Sequence, residues 1–136
     1  MKIIIDTNIL MSALIKDSIT RKIIFESGFD FYYPMESFKE LLKYKSLILE
    51  KSGMDEIEYN NIFFLLLRKI KTIHAELIQD FFQKAKYLMH HIDPDDIIFI
   101  ATALAFDATI WSDDMHFQEQ NSIRIFTTKE MIKLQK

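Results

Sequence analysis

Short unbroken apolar runs alternate along this chain with longer stretches in which apolar residues recur every three or four positions. The short runs are rich in β-branched or aromatic side chains and bounded by polar residues, which predicts strands buried on both faces. They fall at Lys2 to Ile5, Phe29 to Tyr33, Ala108 to Ser112 and Ile123 to Phe126; Lys71 to His74 reads equally as a short strand or an extended link. The periodic stretches predict helices. Ile9-Leu10 with Ala13-Leu14 marks the first, and Arg21 to Ser27, opened by Asp17-Ser18 and ended by Gly28, the second. A third begins at Pro34, carries Phe38, Leu41, Ile48 and Leu49, and stops near Ser52-Gly53. Asp55 caps a fourth that runs through Leu66 to Ile70 and forms a hairpin with the third. Glu76 to His90, Pro94 to Phe106 and Thr128 to Leu134, the last capped by Thr127 or Thr128, complete the set.

Strands separated by helices pair in parallel through crossover connections, so the expected class is α/β. In such sheets ligands bind beyond the carboxyl ends of the strands, where the strand order reverses. The 136 residues suffice for one domain spanning 1–136, and 49% apolar content supplies a core. Only two Gly and two Pro occur, which favours long helices over turn-rich architecture. The absence of Cys excludes disulfide scaffolds, Cys-ligated zinc and thiol nucleophiles. No stretch has the order of a signal peptide, and the longest apolar run, Ile97 to Phe106, is about half a membrane span; a cytoplasmic protein with no membrane partner is expected. The net charge of −3 argues against tight non-specific duplex binding, but less against a nuclease, whose active-site acids lower the net charge.

Four acids occupy places where strands end or helices begin: Asp6, Glu40, Asp96 and Asp114. Singly, each has an ordinary explanation. Asp6 suits a helix cap, Glu40 a solvated helix face, and Asp113-Asp114 a turn. Asp93-Pro94-Asp95-Asp96 has the composition of a helix start. Jointly they are harder to dismiss, because Asp6 follows buried strand residues and Asp96 leads directly into Ile97-Ile98-Phe99-Ile100. Like charges gathered at the rim of a core are unfavourable unless a cation neutralises them, and carboxylate oxygens suit Mg²⁺ or Mn²⁺.

At these residues the chain resembles the PIN-domain family. The resemblance rests on Ile3-Ile4-Ile5-Asp6-Thr7-Asn8-Ile9-Leu10, on Glu40-Leu41-Leu42, on Asp93-Pro94-Asp95-Asp96 ahead of an Ala-rich helix, and on Trp111-Ser112-Asp113-Asp114-x-His116-Phe117. It covers essentially the whole chain. It implies a three-layer α/β/α sandwich around a short parallel sheet and a Mg²⁺- or Mn²⁺-dependent ribonuclease leaving a 5′-phosphate. Many members are toxins of the VapC type paired with an antitoxin. By position, the metal-binding and catalytic acids would be Asp6, Glu40, Asp96 and Asp114, supported by Asn8 and Ser112. The family often has a further acid where His116 stands, so a second metal loses support; His116 itself reads as a structural or idle turn residue in preference to a phosphate contact. Asp113, often uncharged in the family, reads as either a compensating acid or a solvated one.

The expected chemistry is metal-assisted hydrolysis of RNA phosphodiester bonds, with single-stranded or looped RNA the better fit to a small cleft. Lys16, Arg21, Lys39 and Lys43 are candidate phosphate contacts. Part of the aromatic content of residues 55–90 suits a homodimer face. Two rivals remain. A phosphatase with nucleophilic Asp6 would want a second acid where Asn8 stands, and a PIN-like RNA- or protein-binding module would have little reason to keep the acids.

Overall fold

A computed structural model describes residues 1–16, 18–89 and 94–135. Five strands form one wholly parallel sheet in the order β3-β2-β1-β4-β5: β1 (Lys2–Ile5), β2 (Asp30–Pro34), β3 (Ile70–Ile73), β4 (Thr109–Trp111) and β5 (Ile125–Phe126). Ile3, Ile4 and Ile5 are fully buried, as a central strand covered on both faces requires.

The chain first steps outward from β1 to β2 and β3. It then crosses back to lay β4 on the other side of β1. Right-handed crossovers therefore send the two sets of connecting helices to opposite faces. The first set is α1 (Thr7–Ile15), α2 (Ile19–Glu26), α3 (Phe38–Lys43), α4 (Lys45–Ser52) and α5 (Glu56–Leu67); α1 touches all four others. The second is α6 (Phe82–Leu88) and α7 (Pro94–Phe106), with α7 lying along β1, β2 and β4. The closing α8 (Thr128–Leu134) packs on β5 and α2. The result is the expected three-layer α/β/α sandwich, with its reversal of strand order between β1 and β4.

Local chemistry explains most boundaries. Asp6, Ser18, Asp55 and Thr127 cap α1, α2, α5 and α8, the last two through capping boxes closed by Glu58 and Glu130. Gly53 ends α4 at φ 72°, a conformation that costs a side chain strain. Lys71 to His74, ambiguous in sequence, falls largely in the edge strand β3, which ends at Ile73 and begins at Ile70, a residue expected inside the preceding helix, which instead stops at Leu67.

Three expectations are corrected. Pro34 closes β2, opposite Ile73, instead of opening a helix; a 3-10 turn at Met35–Ser37 follows it. The helix expected from Pro34 to Ser52 is broken at Tyr44 into α3 and α4, without a Gly or Pro to mark the break. The expected helix from Glu76 to His90 begins as two 3-10 turns, Ala75–Leu77 and Gln79–Phe81, before α6. These turns put Ile78 in the core and leave Leu77, a supposed core position, exposed. Asp17, His90 and Asp93, also assigned roles at helix ends, lie outside the described residues.

Candidate metal centre

Because β1 and β4 are paired with Ile5 opposite Trp111, the residues that leave them are neighbours. The Asp6 amide donates to Trp111 O at 3.3 Å, and the Ser112 hydroxyl donates to Asp6 Oδ2. The other Asp6 oxygen accepts from Ile9 N at 2.9 Å, the cap of α1. Ser112 Oγ in turn accepts from Asp114 N at 3.0 Å, and Asp114 Oδ1 accepts from His116 N at 3.0 Å. One hydrogen-bonded chain thus links Asp6 through Ser112 to Asp114 and His116, at the carboxyl ends of the two strands that flank the reversal.

A further element, α7, comes from the layer of helices on one face of the sheet. Its fully buried residues Ile100, Ala101 and Ala103 anchor it, and its first turn brings Asp96 beside Asp114. Asp96, Asp114 and His116 each offer a ligand atom there, all within 4.8 Å of one another. Among the described residues this is the one such cluster of metal-capable side chains. Phe117, 1% exposed, meets Phe99 edge-on at 6.3 Å and ties the turn bearing Asp114 and His116 to the helix bearing Asp96.

Asp6 stands behind this trio, 4% exposed. Burial pushes its carboxyl up to about 7; the hydrogen bonds from Ser112 and Ile9 oppose the rise, and the nearby charges of Asp113 and Asp114 add to it. Glu40, in the first turn of α3, lies outside the trio. It lines a cleft of about 360 Å³ with Lys39, Lys43, Phe82, Asp95 and Ile98, between the start of α3 and the start of α7. Asn8 is exposed in the first turn of α1, and Ser112 is buried between the acids.

Thr7, the residue between Asp6 and Asn8, is structural. Its hydroxyl meets Tyr33 Oη at 2.8 Å, and Tyr33 Oη donates to Ser37 O at 2.9 Å, joining α1 to the turn before α3. Burial raises the Tyr33 phenol well above its usual value, partly offset by Thr7 and reinforced by the charges of Glu40 and Asp6, so this brace stays protonated.

Other candidates resolve differently. Asp113 neither compensates nor idles: its two oxygens accept from Thr128 N and Oγ1, each at 2.7 Å, while Trp111 Nε1 donates to Thr128 Oγ1 at 3.0 Å. It fastens α8 to the end of β4. Arg21 Nε donates to Ala13 O at 2.8 Å, closing the carbonyl end of α1 and not facing the cleft. Lys16 lines a separate pocket with Ser18, Thr20 and Lys51. His116, expected as a structural or idle turn residue, lies beside Asp114 and Asp96, two residues after Asp114 where the family often has another acid.

The donor set suits a divalent cation. Asp96 and Asp114 bring hard oxygens, His116 a nitrogen, and Asp6 a buried carboxyl that extra positive charge would help to ionise.

A parallel α/β/α sandwich with carboxylates gathered where strand order reverses defines a class of small acid-site domain. A family model described as PIN domain matches residues 4–134, and the chain belongs to the PIN-domain family. Solved structures agree in fold. VapBC2 from Rickettsia felis, bound to a DNA fragment from its promoter, superposes with a TM-score of 0.71 at 15% identity, covering 93% of this chain and 98% of that one. FitAB bound to the IR36 DNA fragment gives 0.62 at 19% identity, covering 92% and 94%. None of the curated proteins matches the chain. No helix among the described residues is long and apolar enough to cross a membrane.

Proposed function

We propose that this chain, one PIN-like domain over residues 1–136, is a Mg²⁺- or Mn²⁺-dependent endoribonuclease, the cytoplasmic toxin of a toxin–antitoxin pair. The observation that carries the nuclease reading is the meeting of Asp96 and Asp114 beside buried Asp6, at the switch point of the sheet. When bound, the divalent ion supplies Lewis-acid stabilisation of the charge that builds on the scissile phosphate.

The protein's own groups do the rest. Asp96 and Asp114 would hold the ion, with Asp6 linked to them through Ser112 and Glu40 contributing its charge from the adjoining cleft. Ser112 fixes Asp6 and Asp114 relative to each other, and Asn8 supports the acids from α1. Glu40 or Asp96 orients the attacking water and accepts its proton. Lys39 and Lys43 flank Glu40 in the cleft and suit the phosphates of a single strand. The likeness to VapBC2 and FitAB supports a partner protein. An apolar groove of about 280 Å³ between α3 and α5, lined by Phe38, Leu41, Leu42, Phe63 and Leu67, offers such an antitoxin, or a second copy of the chain, a surface to bury.

The test is cleavage of single-stranded RNA in Mg²⁺ or Mn²⁺ against EDTA. Asp96→Asn and Asp114→Asn should abolish cleavage while circular dichroism stays native. RNA bound but left uncut in every divalent ion would replace this reading with that of a binding module.

A further inference from the structure

The carboxylates fit the expectation for a PIN domain, but His116 does not. It stands two residues after Asp114, on a 3-10 turn (Met115–Glu119). Three contacts aim it. Asp114 Oδ1 caps the turn by accepting from His116 N at 3.0 Å. Buried Phe117 pins the turn against Phe99. The imidazole Nδ1 then lies 3.5 Å from Asp114 Oδ1, with an Asp96 oxygen in the same cluster.

The spacing is close to that of donors sharing one ion. With bonds of about 2.1–2.2 Å, two donors on a six-coordinate ion sit about 3 Å apart when adjacent and about 4.3 Å when opposite. One donor atom from each of a half-buried Asp96, a half-buried Asp114 and a largely exposed imidazole already lies within 4.8 Å of the other two, and the His116–Asp114 pair is 3.5 Å apart. Donor chemistry then separates ions of similar size. Mg²⁺ prefers oxygen ligands and retained waters, whereas imidazole is a good donor to divalent transition ions.

We propose that His116 supplies a nitrogen ligand to the ion held by Asp96 and Asp114, so that this site selects a divalent transition metal such as Mn²⁺ over Mg²⁺. The proposal rests on the metal-dependent reading above and adds the identity of one ligand and the class of ion. It also gives a role to a side chain that leaves the site one carboxylate short of many PIN domains.

The test needs no catalysis. Calorimetric titration of the full chain with Mn²⁺ and with Mg²⁺ is run on the wild type and on His116→Asp, and the Mn²⁺ complexes are examined by pulsed electron paramagnetic resonance for coupling to nitrogen. The wild type should show nitrogen coupling that disappears in His116→Asp. The ratio of Mn²⁺ to Mg²⁺ affinity should fall at least about tenfold in the variant as the all-oxygen site recovers Mg²⁺. Mn²⁺ bound to the wild type without nitrogen coupling, or coupling that survives the substitution and so comes from another histidine, overturns the proposal. Loss of coupling with an unchanged ratio overturns the selectivity. Neither ion binding to either protein removes the metal reading itself, a failure distinct from the first.

Discussion

Replacing Asp6 by Asn should make the metal-free protein more stable at alkaline pH, although the same change should disable the proposed nuclease. The Asp6 carboxyl is held near 7 in the fold and titrates at an ordinary 3.8 once unfolded. Between those values the native state keeps a proton that the unfolded state releases. Stability therefore falls as pH rises from about 4 to about 7, and the penalty is complete above 7. Three units at about 1.4 kcal/mol each put it on the order of 4 kcal/mol, a large share of a typical domain's stability.

Asn is isosteric and uncharged. Its oxygen can still accept from Ile9 N, and its amide can donate to Ser112 Oγ. The variant should escape the penalty. In EDTA at pH 8 its melting temperature should exceed that of the wild type by more than about 10 °C, and near pH 4 the two should converge. Thermal melts in EDTA across this range test it. Saturating Mn²⁺ should narrow the gap at pH 8 by stabilising the wild type alone, since a ligand of the native state acts by mass action. Parallel pH profiles for the two proteins in EDTA would refute the claim that burial opposes ionisation of Asp6.

Phe117→Ala should cost about 3–5 kcal/mol in urea denaturation, because Phe117 is fully buried against Phe99. It should also weaken Mn²⁺ binding, since the turn carrying Asp114 and His116 loses its anchor. Asp113→Ala removes both bonds to Thr128 and should cost about 1–2 kcal/mol by loosening the start of α8 from β4, with calorimetric Mn²⁺ affinity reduced far less than by Asp114→Ala. That separation would distinguish the two adjacent acids, one structural and one in the site.

The sequence by itself determined the alternation of elements, and with it the class of fold. Continuous apolar runs such as Ile3-Ile4-Ile5 can be satisfied only in a strand covered on both faces, and caps such as Asp55 and Thr127 act within one turn of chain. It also singled out four acids, Asp6, Glu40, Asp96 and Asp114: Asp6 and Asp96 because charge beside buried apolar residues is a local anomaly, Glu40 and Asp114 only by their place in the resemblance. What it left undecided were relations between distant segments. Whether Ile78 or Leu77 enters the core depends on what α7 presents to it, and periodicity cannot register that. Asp113 and Asp114 are chemically identical neighbours; only the arrival of α8 beside β4 gave one to Thr128 and left the other facing Asp96. His116 looks idle in a linear chain because its proximity to Asp96 is created by α7 crossing over β1 and β4 and by Phe117 seating on Phe99. Local free energies are written residue by residue, whereas a site assembled from four separate elements exists only once the sheet order has brought their ends together.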